Sequence, residues 1–188
     1  MLKIKSVRGV DFSYNVYRRK KKNGKYRIIT APCEELKTIQ RNFAHAFYNI
    51  TEDRFSKEIT GFRPGISIKD NAKLHVGKDW VINIDIKDFF PSTTKELVNW
   101  ALKHSGLLNY DGYDLDELTE LLTVDGRLPQ GSPASPVLAN YIGIYYIDPL
   151  VKQEVNNVLG NLDYLYTRYA DDITLSFDDK QKYLNRTI

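Results

Sequence analysis

Two adjacent aspartates, Asp171 and Asp172, stand between two alternating apolar segments, and this arrangement constrains the fold more than any other feature of the sequence. Leu162, Tyr164, Leu165, Tyr166 and Tyr169 lead in, and Ile173, Leu175 and Phe177 alternate with Thr174 and Ser176 on the way out. Alternation of aromatic and β-branched residues with period two predicts a pair of strands. Tyr169-Ala170-Asp171-Asp172 is then a tight hairpin turn. Aspartate suits turns for a purely local reason, because its short side chain bonds nearby amides. The flanks here belong to a buried sheet, however, and two carboxylates held there repel each other unless a cation neutralises them. A divalent metal meets that need if a third carboxylate joins the pair.

Asp85 is the candidate third. Residues 80–86 read as a strand, with Trp80, Ile82, Ile84 and Ile86 on one side and Val81, Asn83 and Asp85 on the other. Asp85 therefore leaves the strand's C-terminal end on its polar face. One acid at a strand end and two in a hairpin turn can converge on adjacent strands. Three such carboxylates can hold two Mg²⁺ ions for in-line phosphoryl displacement. Hard oxygen donors without a His/Cys cluster favour magnesium.

The rest of the chain supplies a mixed frame. Residues 11–30 form an expected hairpin about Asn23-Gly24, followed by a helix opened by Pro32 with Leu36, Ile39, Phe43 and Phe47 on one stripe. Residues 61–65 are an expected loop, and a short helix is expected within 66–75. Thr93 with Glu96 reads as a capping box, as does Asp114 with Glu117. A rigid loop at 128–133 leads into a helix from about Ala134 that should bend or break near Pro149. Composition shifts near residue 60, where a basic N-terminal region gives way to sheet and helix.

Bulk properties narrow the class. Hydrophobic residues make up 42% and charged ones 27%, an ordinary globular balance. No apolar run approaches a membrane span and the N-terminus lacks a signal-peptide core, so no membrane partner is expected. The single cysteine, Cys33, excludes an internal disulfide and fits a cytoplasmic setting. The run Arg18-Arg19-Lys20-Lys21-Lys22, with Lys25 and Arg27 close behind, is either a solvated loop or a phosphate-binding surface.

Three segments together resemble the catalytic motifs of reverse transcriptases, in that family's order. Asn83-Ile84-Asp85-Ile86-Lys87-Asp88-Phe89-Phe90-Pro91-Ser92 looks like the first, Leu128-Pro129-Gln130-Gly131-Ser132-Pro133-Ala134-Ser135-Pro136 the second, and Tyr169-Ala170-Asp171-Asp172 the third. Asn71-Ala72-Lys73-Leu74-His75 is similar to the Asn-Ala-x-x-His element of bacterial retron enzymes.

The resemblance implies an α+β fold of polymerase right-hand type: fingers and palm, with an antiparallel palm sheet packed on helices. Residues 1–60 would be the N-terminal fingers region and 61–188 the rest of the fingers and the palm. The chain ends at Ile188, where the family adds further palm strands and a helical thumb, so the thumb is expected to be missing and this chain alone to be inactive because it is truncated.

The implied activity is RNA-directed DNA polymerisation with two Mg²⁺ ions, Mn²⁺ being able to substitute. Asp85, Asp171 and Asp172 would be catalytic metal ligands, helped by the Ile86 carbonyl. Phe90 would be the steric gate selecting dNTPs, though it could equally be a core aromatic beside Phe89. Gln130 and Gly131 would touch the incoming nucleotide and the template base, Gly131 being otherwise a plain turn glycine; Lys25 and Arg27 would grip the triphosphate, with Lys20–Lys22 either assisting or simply solvated. Asn71 and His75, four residues apart on one helical face, would contact RNA or brace the fingers. Implied partners are a structured non-coding RNA as template and primer, the DNA product and an effector protein in anti-phage defence. The alternatives are a reverse transcriptase of a group II intron, a CRISPR locus or another defence system, or a non-catalytic RNA-binding module on the same scaffold.

Overall fold

The computed structural model describes residues 2–3, 6–20, 24–160 and 162–178. Lys21, Lys22, the turn residue Asn23 and the tail 179–188 lie outside the described residues. The chain forms two compact units, Met1–Arg54 with Asp88–Ile142, and Phe55–Lys87 with Gly143–Ile188.

The first unit opens with a three-stranded antiparallel sheet, β1 (Leu2–Lys3), β2 (Ser13–Lys20) and β3 (Tyr26–Pro32), in that spatial order. The expected hairpin is present. Pro32, expected to open a helix, instead ends β3 opposite Tyr14. A strand end needs no further amide from Pro32, and the next residue, Cys33, donates its amide to Ser13 O at 2.9 Å. Helix α1 (Glu34–Thr51) follows, with Glu34 and Glu35 complementing its dipole and Leu36, Phe43 and Phe47 buried.

The second half of this unit is helical. The sequence gives little sign of the short helix α3, whose range is Phe89–Ser92, or of the ribbon of β5 (Asn109–Tyr110) and β6 (Tyr113–Asp114). Helix α4 (Lys95–Ser105) is capped by Thr94, one residue later than expected. Thr93 is already committed to α3: its amide bonds Phe90 O at 3.0 Å and its hydroxyl Phe89 O at 3.2 Å. Gly106, left-handed at φ 83°, closes α4. Helix α5 (Leu115–Leu122) carries the expected Asp114/Glu117 capping box. Its Leu121 packs with Val7, Phe12, Tyr14, Leu36 and Val124.

Helix α6 (Ser135–Tyr146) begins where the sequence indicates. The break expected near Pro149 lies between α6 and a helix the sequence reading missed, α7 (Asp148–Leu159), which has Pro149 in its first turn.

The second unit contains α2 (Ile68–Leu74), started by a Ser67/Asp70 capping box, and the strands β4 (Trp80–Asp85), β7 (Tyr164–Tyr169) and β8 (Asp172–Phe177). These strands form one antiparallel sheet in the order β4-β8-β7. Tyr166, Ile173 and Leu175 form its core, with Val151 and Val155 of α7 packed against them.

Buried Gln40 ties the first unit together. Its amide donates to the Tyr14 hydroxyl and to Leu121 O, both at 2.7 Å. Burial also pushes the Tyr14 phenol well above its ordinary range, so it stays neutral. Gln40→Leu should remove both bonds, leaving only the long Tyr14 hydroxyl donation to Leu121 O at 3.5 Å, and cost about 1–3 kcal/mol in urea unfolding. A change below the measurement error would exclude this bridge as a stabilising element.

Candidate active site

In an antiparallel pair, residues directly opposite share a face. Along β4 and β8 the opposed pairs are Val81/Ser176, Asn83/Thr174 and Asp85/Asp172. The Thr174 hydroxyl donates to Asn83 Oδ1 at 3.0 Å, which confirms the shared polar face. Asp85 and Asp172 are thus neighbours at one end of the sheet. Asp171 stands in the turn beside them, its carbonyl accepting the Ile86 amide at 2.9 Å. The alternation expected for β4 holds: Ile82 and Ile84 lie on the opposite face, exposed, and line an apolar groove with Leu150, Val151 and Val155 of α7.

The carboxylates feel one another. The Asp172 carboxyl is raised above its ordinary range, first by desolvation and then by the charges of Asp171 and Asp85. Among the described residues no three His, Cys, Asp or Glu side chains are grouped closely enough to hold one metal ion as they stand. The backbone brings the three aspartates together; their side chains are not drawn onto a common point. The donor set nevertheless fits a divalent metal, because its hard oxygens carry mutual repulsion that a cation would relieve.

Asn71 and His75 sit on the same sheet face as the carboxylates. They line a cleft with Val81, Tyr169, Asp172 and Thr174. His75 is buried, and its two ring nitrogens lie 2.7 Å from the Ser176 hydroxyl on β8 and 2.7 Å from the Thr167 hydroxyl on β7. Burial lowers its pKa, which favours the neutral ring that can both donate and accept. Asn71 Oδ1 accepts the Thr60 hydroxyl at 2.6 Å. His75 thus fastens the C-terminal end of α2 to β8 and β7, and Asn71 fastens α2 to the segment at Thr60.

Sequence reasoning treated Gly61 as one glycine of a loop. Its Cα faces the hairpin turn, and a Cβ there would come within 2.8 Å of the Tyr169 carbonyl carbon and also strike the Ala170 nitrogen. The Gly61 amide and the Thr60 amide both reach Arg168 O, at 3.4 and 2.9 Å. Nothing local in the sequence signals this contact, because it joins segments more than a hundred residues apart.

The remaining candidates belong to the first unit. Gly131 adopts φ 138°, and a Cβ would lie 2.8 Å from Thr30 O on β3. The Gln130 carbonyl accepts the Thr30 amide at 2.8 Å. Gln130 and Gly131 are therefore pinned to the strand that carries Arg27. Lys25 is exposed just before that strand. Arg27 is exposed directly opposite Arg19 on β2, and Lys20 opposite Tyr26. Phe90, in α3, is half-buried with its ring 5.4 Å from that of Phe89, which is buried.

A family profile described as Reverse transcriptase (RNA-dependent DNA polymerase) matches residues 19–188. The chain belongs to the reverse transcriptase family. Within that family it is of retron type. It is 36% identical over 175 residues to the Retron Ec86 reverse transcriptase of Escherichia coli, covering 92% of this chain and 51% of the relative. It is 34% identical over 178 residues to the Retron Mx65 reverse transcriptase of Myxococcus xanthus, covering 85% of this chain and 39% of the relative. The chain thus spans about half or less of the length of these retron relatives. Its fold matches telomerase from Candida albicans, in a structure with a fragment of telomeric RNA, at a TM-score of 0.50 and 12% identity, covering 94% of this chain and 39% of that one. Family and fold agree with the α+β fingers-and-palm architecture. Membership in the reverse transcriptase family also implies use of a divalent metal.

A carboxyl whose pKa is raised on folding stabilises the fold below its unfolded pKa and loses that contribution as pH rises through the folded value. Asp172→Asn should therefore raise the Tm of the metal-free retron-type chain at pH 7. The gain should shrink at a pH low enough to protonate Asp172 in both states. Calorimetry in EDTA at the two pH values measures this, and an equal gain at both would rule out charge repulsion.

Proposed function

We propose that this chain is the fingers and palm portion of a retron-type RNA-directed DNA polymerase, adding dNTPs to a primer on an RNA template. The observation that carries this reading is the opposition of Asp85 and Asp172 at the sheet end that also holds Asp171. The sheet β4-β8-β7 is then palm, residues 1–60 the N-terminal fingers region, and 61–188 the remaining fingers and the palm.

Asp85, Asp171 and Asp172, with the Ile86 carbonyl, would hold two Mg²⁺ ions, or Mn²⁺ in their place. Bound metal of this kind activates an attacking 3′-hydroxyl and neutralises the leaving pyrophosphate. The pairing of Asp85 with Asp172 supports this reading, because ligands on paired strands lose little freedom when they bind. Lys25 and Arg27 would grip the triphosphate. Arg19 opposite Arg27 supports this, since like charges directly opposed are destabilising until an anion lies between them. Gln130 and Gly131 would contact the incoming nucleotide, and Phe90 would exclude a 2′-hydroxyl.

The retron resemblance further suggests a structured non-coding RNA as both template and primer source, a branched RNA–DNA product, an effector protein and a cytoplasmic role in anti-phage defence. No helix among the described residues is long and apolar enough to cross a membrane.

In the full-length enzyme, Asp171→Asn with Asp172→Asn should abolish primer extension, while RNA binding in a filter assay stays near wild type. Extension surviving in that variant would overturn the metal assignment. Phe90→Ala should admit ribonucleotides at the expense of dNTP selectivity, read as the ratio of kcat/KM for dGTP and GTP. An unchanged ratio would remove Phe90 as the gate.

A further inference from the structure

Beneath the catalytic turn, on the sheet face opposite the carboxylates, lies a buried charge that the proposed chemistry does not use. Arg168 immediately precedes Tyr169 and is fully buried. Its Nε and Nη2 donate to the two carboxylate oxygens of Asp148, at 2.6 and 3.1 Å, in a bidentate fork. Tyr166 donates its hydroxyl to the same carboxylate at 2.5 Å. The remaining arm, Nη1, donates to the carbonyl of Ala170 at 3.3 Å. Gly143 on α6 makes room for this, since a Cβ there would lie 2.6–2.7 Å from the guanidinium.

A buried ion pair is a poor stabiliser: apolar residues of the same volume usually serve the fold as well or better. The cost of burying Arg168 therefore points to a role beyond core stability. The turn it touches needs support. Ala170 has φ 61°, a left-handed conformation that costs a residue with a Cβ and that glycine would adopt freely. Its carbonyl is set by Arg168 Nη1, and Asp171 O is set by the Ile86 amide. The rigid fork on Asp148, at the start of α7, fixes where Nη1 points.

We propose that Arg168, locked onto Asp148, is a positioning residue that holds the Ala170 carbonyl and so sets Asp171 and Asp172 against Asp85. Its consequence for metal binding rests on the metal reading given above; the mechanical coupling to the turn does not.

Arg168→Lys is the direct test, because its single ammonium keeps a charge for Asp148 but cannot also hold the Ala170 carbonyl through a fixed fork. In amide hydrogen exchange followed by NMR, the Ile86 amide should exchange at least tenfold faster, while the β4–β8 ladder amides keep wild-type protection. Titration with Mn²⁺ by electron paramagnetic resonance should show about tenfold weaker affinity. Arg168→Met with Asp148→Leu is the second variant. Combined with Tyr166→Phe, which removes the hydroxyl that Asp148 accepts, it replaces the whole cluster by apolar residues, so the ladder should be protected as in wild type, yet the Ile86 amide should still exchange fast. Wild-type Ile86 protection in either variant with an intact ladder overturns the proposal, as does exchange accelerated equally across the whole ladder in both. Asp85→Asn is the control for the underlying reading. Mn²⁺ affinity unaffected by Asp85→Asn would sink the metal assignment, whereas Ile86 exchange would still decide the coupling of Arg168 to the turn.

Discussion

Electrostatic repulsion among three aspartates at one end of a three-stranded sheet is the constraint on which the second unit depends. Asp85 and Asp172 are held opposite each other by the β4–β8 ladder, and Asp171 is carried beside them by a two-residue turn. Desolvation raises the Asp172 pKa first, and the charges of Asp171 and Asp85 raise it further. Charge concentrated in this way works against folding, so the rest of the unit has to supply the stability and rigidity that the carboxylates remove. A bound cation would turn the same repulsion into affinity.

The two sheet faces meet that demand differently. On the carboxylate face, His75 spans Ser176 and Thr167 and so staples β8 to β7 from above, with Asn71 anchored to Thr60. On the other face, Ile173 and Leu175 pack on α7, and Arg168 with Asp148 reaches the turn from below. Along the outer side of β7, residues Glu58 to Gly61 run as a bridge to Arg168, Glu58 O accepting its amide at 2.8 Å. The turn is thereby held from both faces and from one edge. Such redundancy is what allows an alanine to remain in a left-handed conformation.

In the first unit an analogous economy places close backbone approaches where a ligand surface is proposed. Gly131 lies against Thr30 O, and Gln130 O takes the Thr30 amide, so the loop of the second motif and the strand bearing Arg27 form one connected element. The cations of β2 and β3 remain exposed on strands whose mutual pairing is regular. Regular pairing fixes the spacing of the cations. A flexible loop of the same composition would not.

Much was legible in the sequence, because short-range chemistry determines it. Period-two alternation marked β4, β7 and β8; the Asp114/Glu117 box marked the start of α5; and the three motifs in order pointed to the family. Errors fell where neighbouring elements compete for one residue, as when Pro32 went to β3 and Thr93 to the end of α3. Helix α7 was missed because Pro149, read as a stop, serves as a first-turn residue. What the tertiary structure alone decided is how the turn is held: Gly61 against Ala170, Arg168 on Asp148, and His75 between two strands. Each of these joins segments distant along the chain, and the local periodicities a sequence displays carry no information about such contacts until the sheet register brings them together.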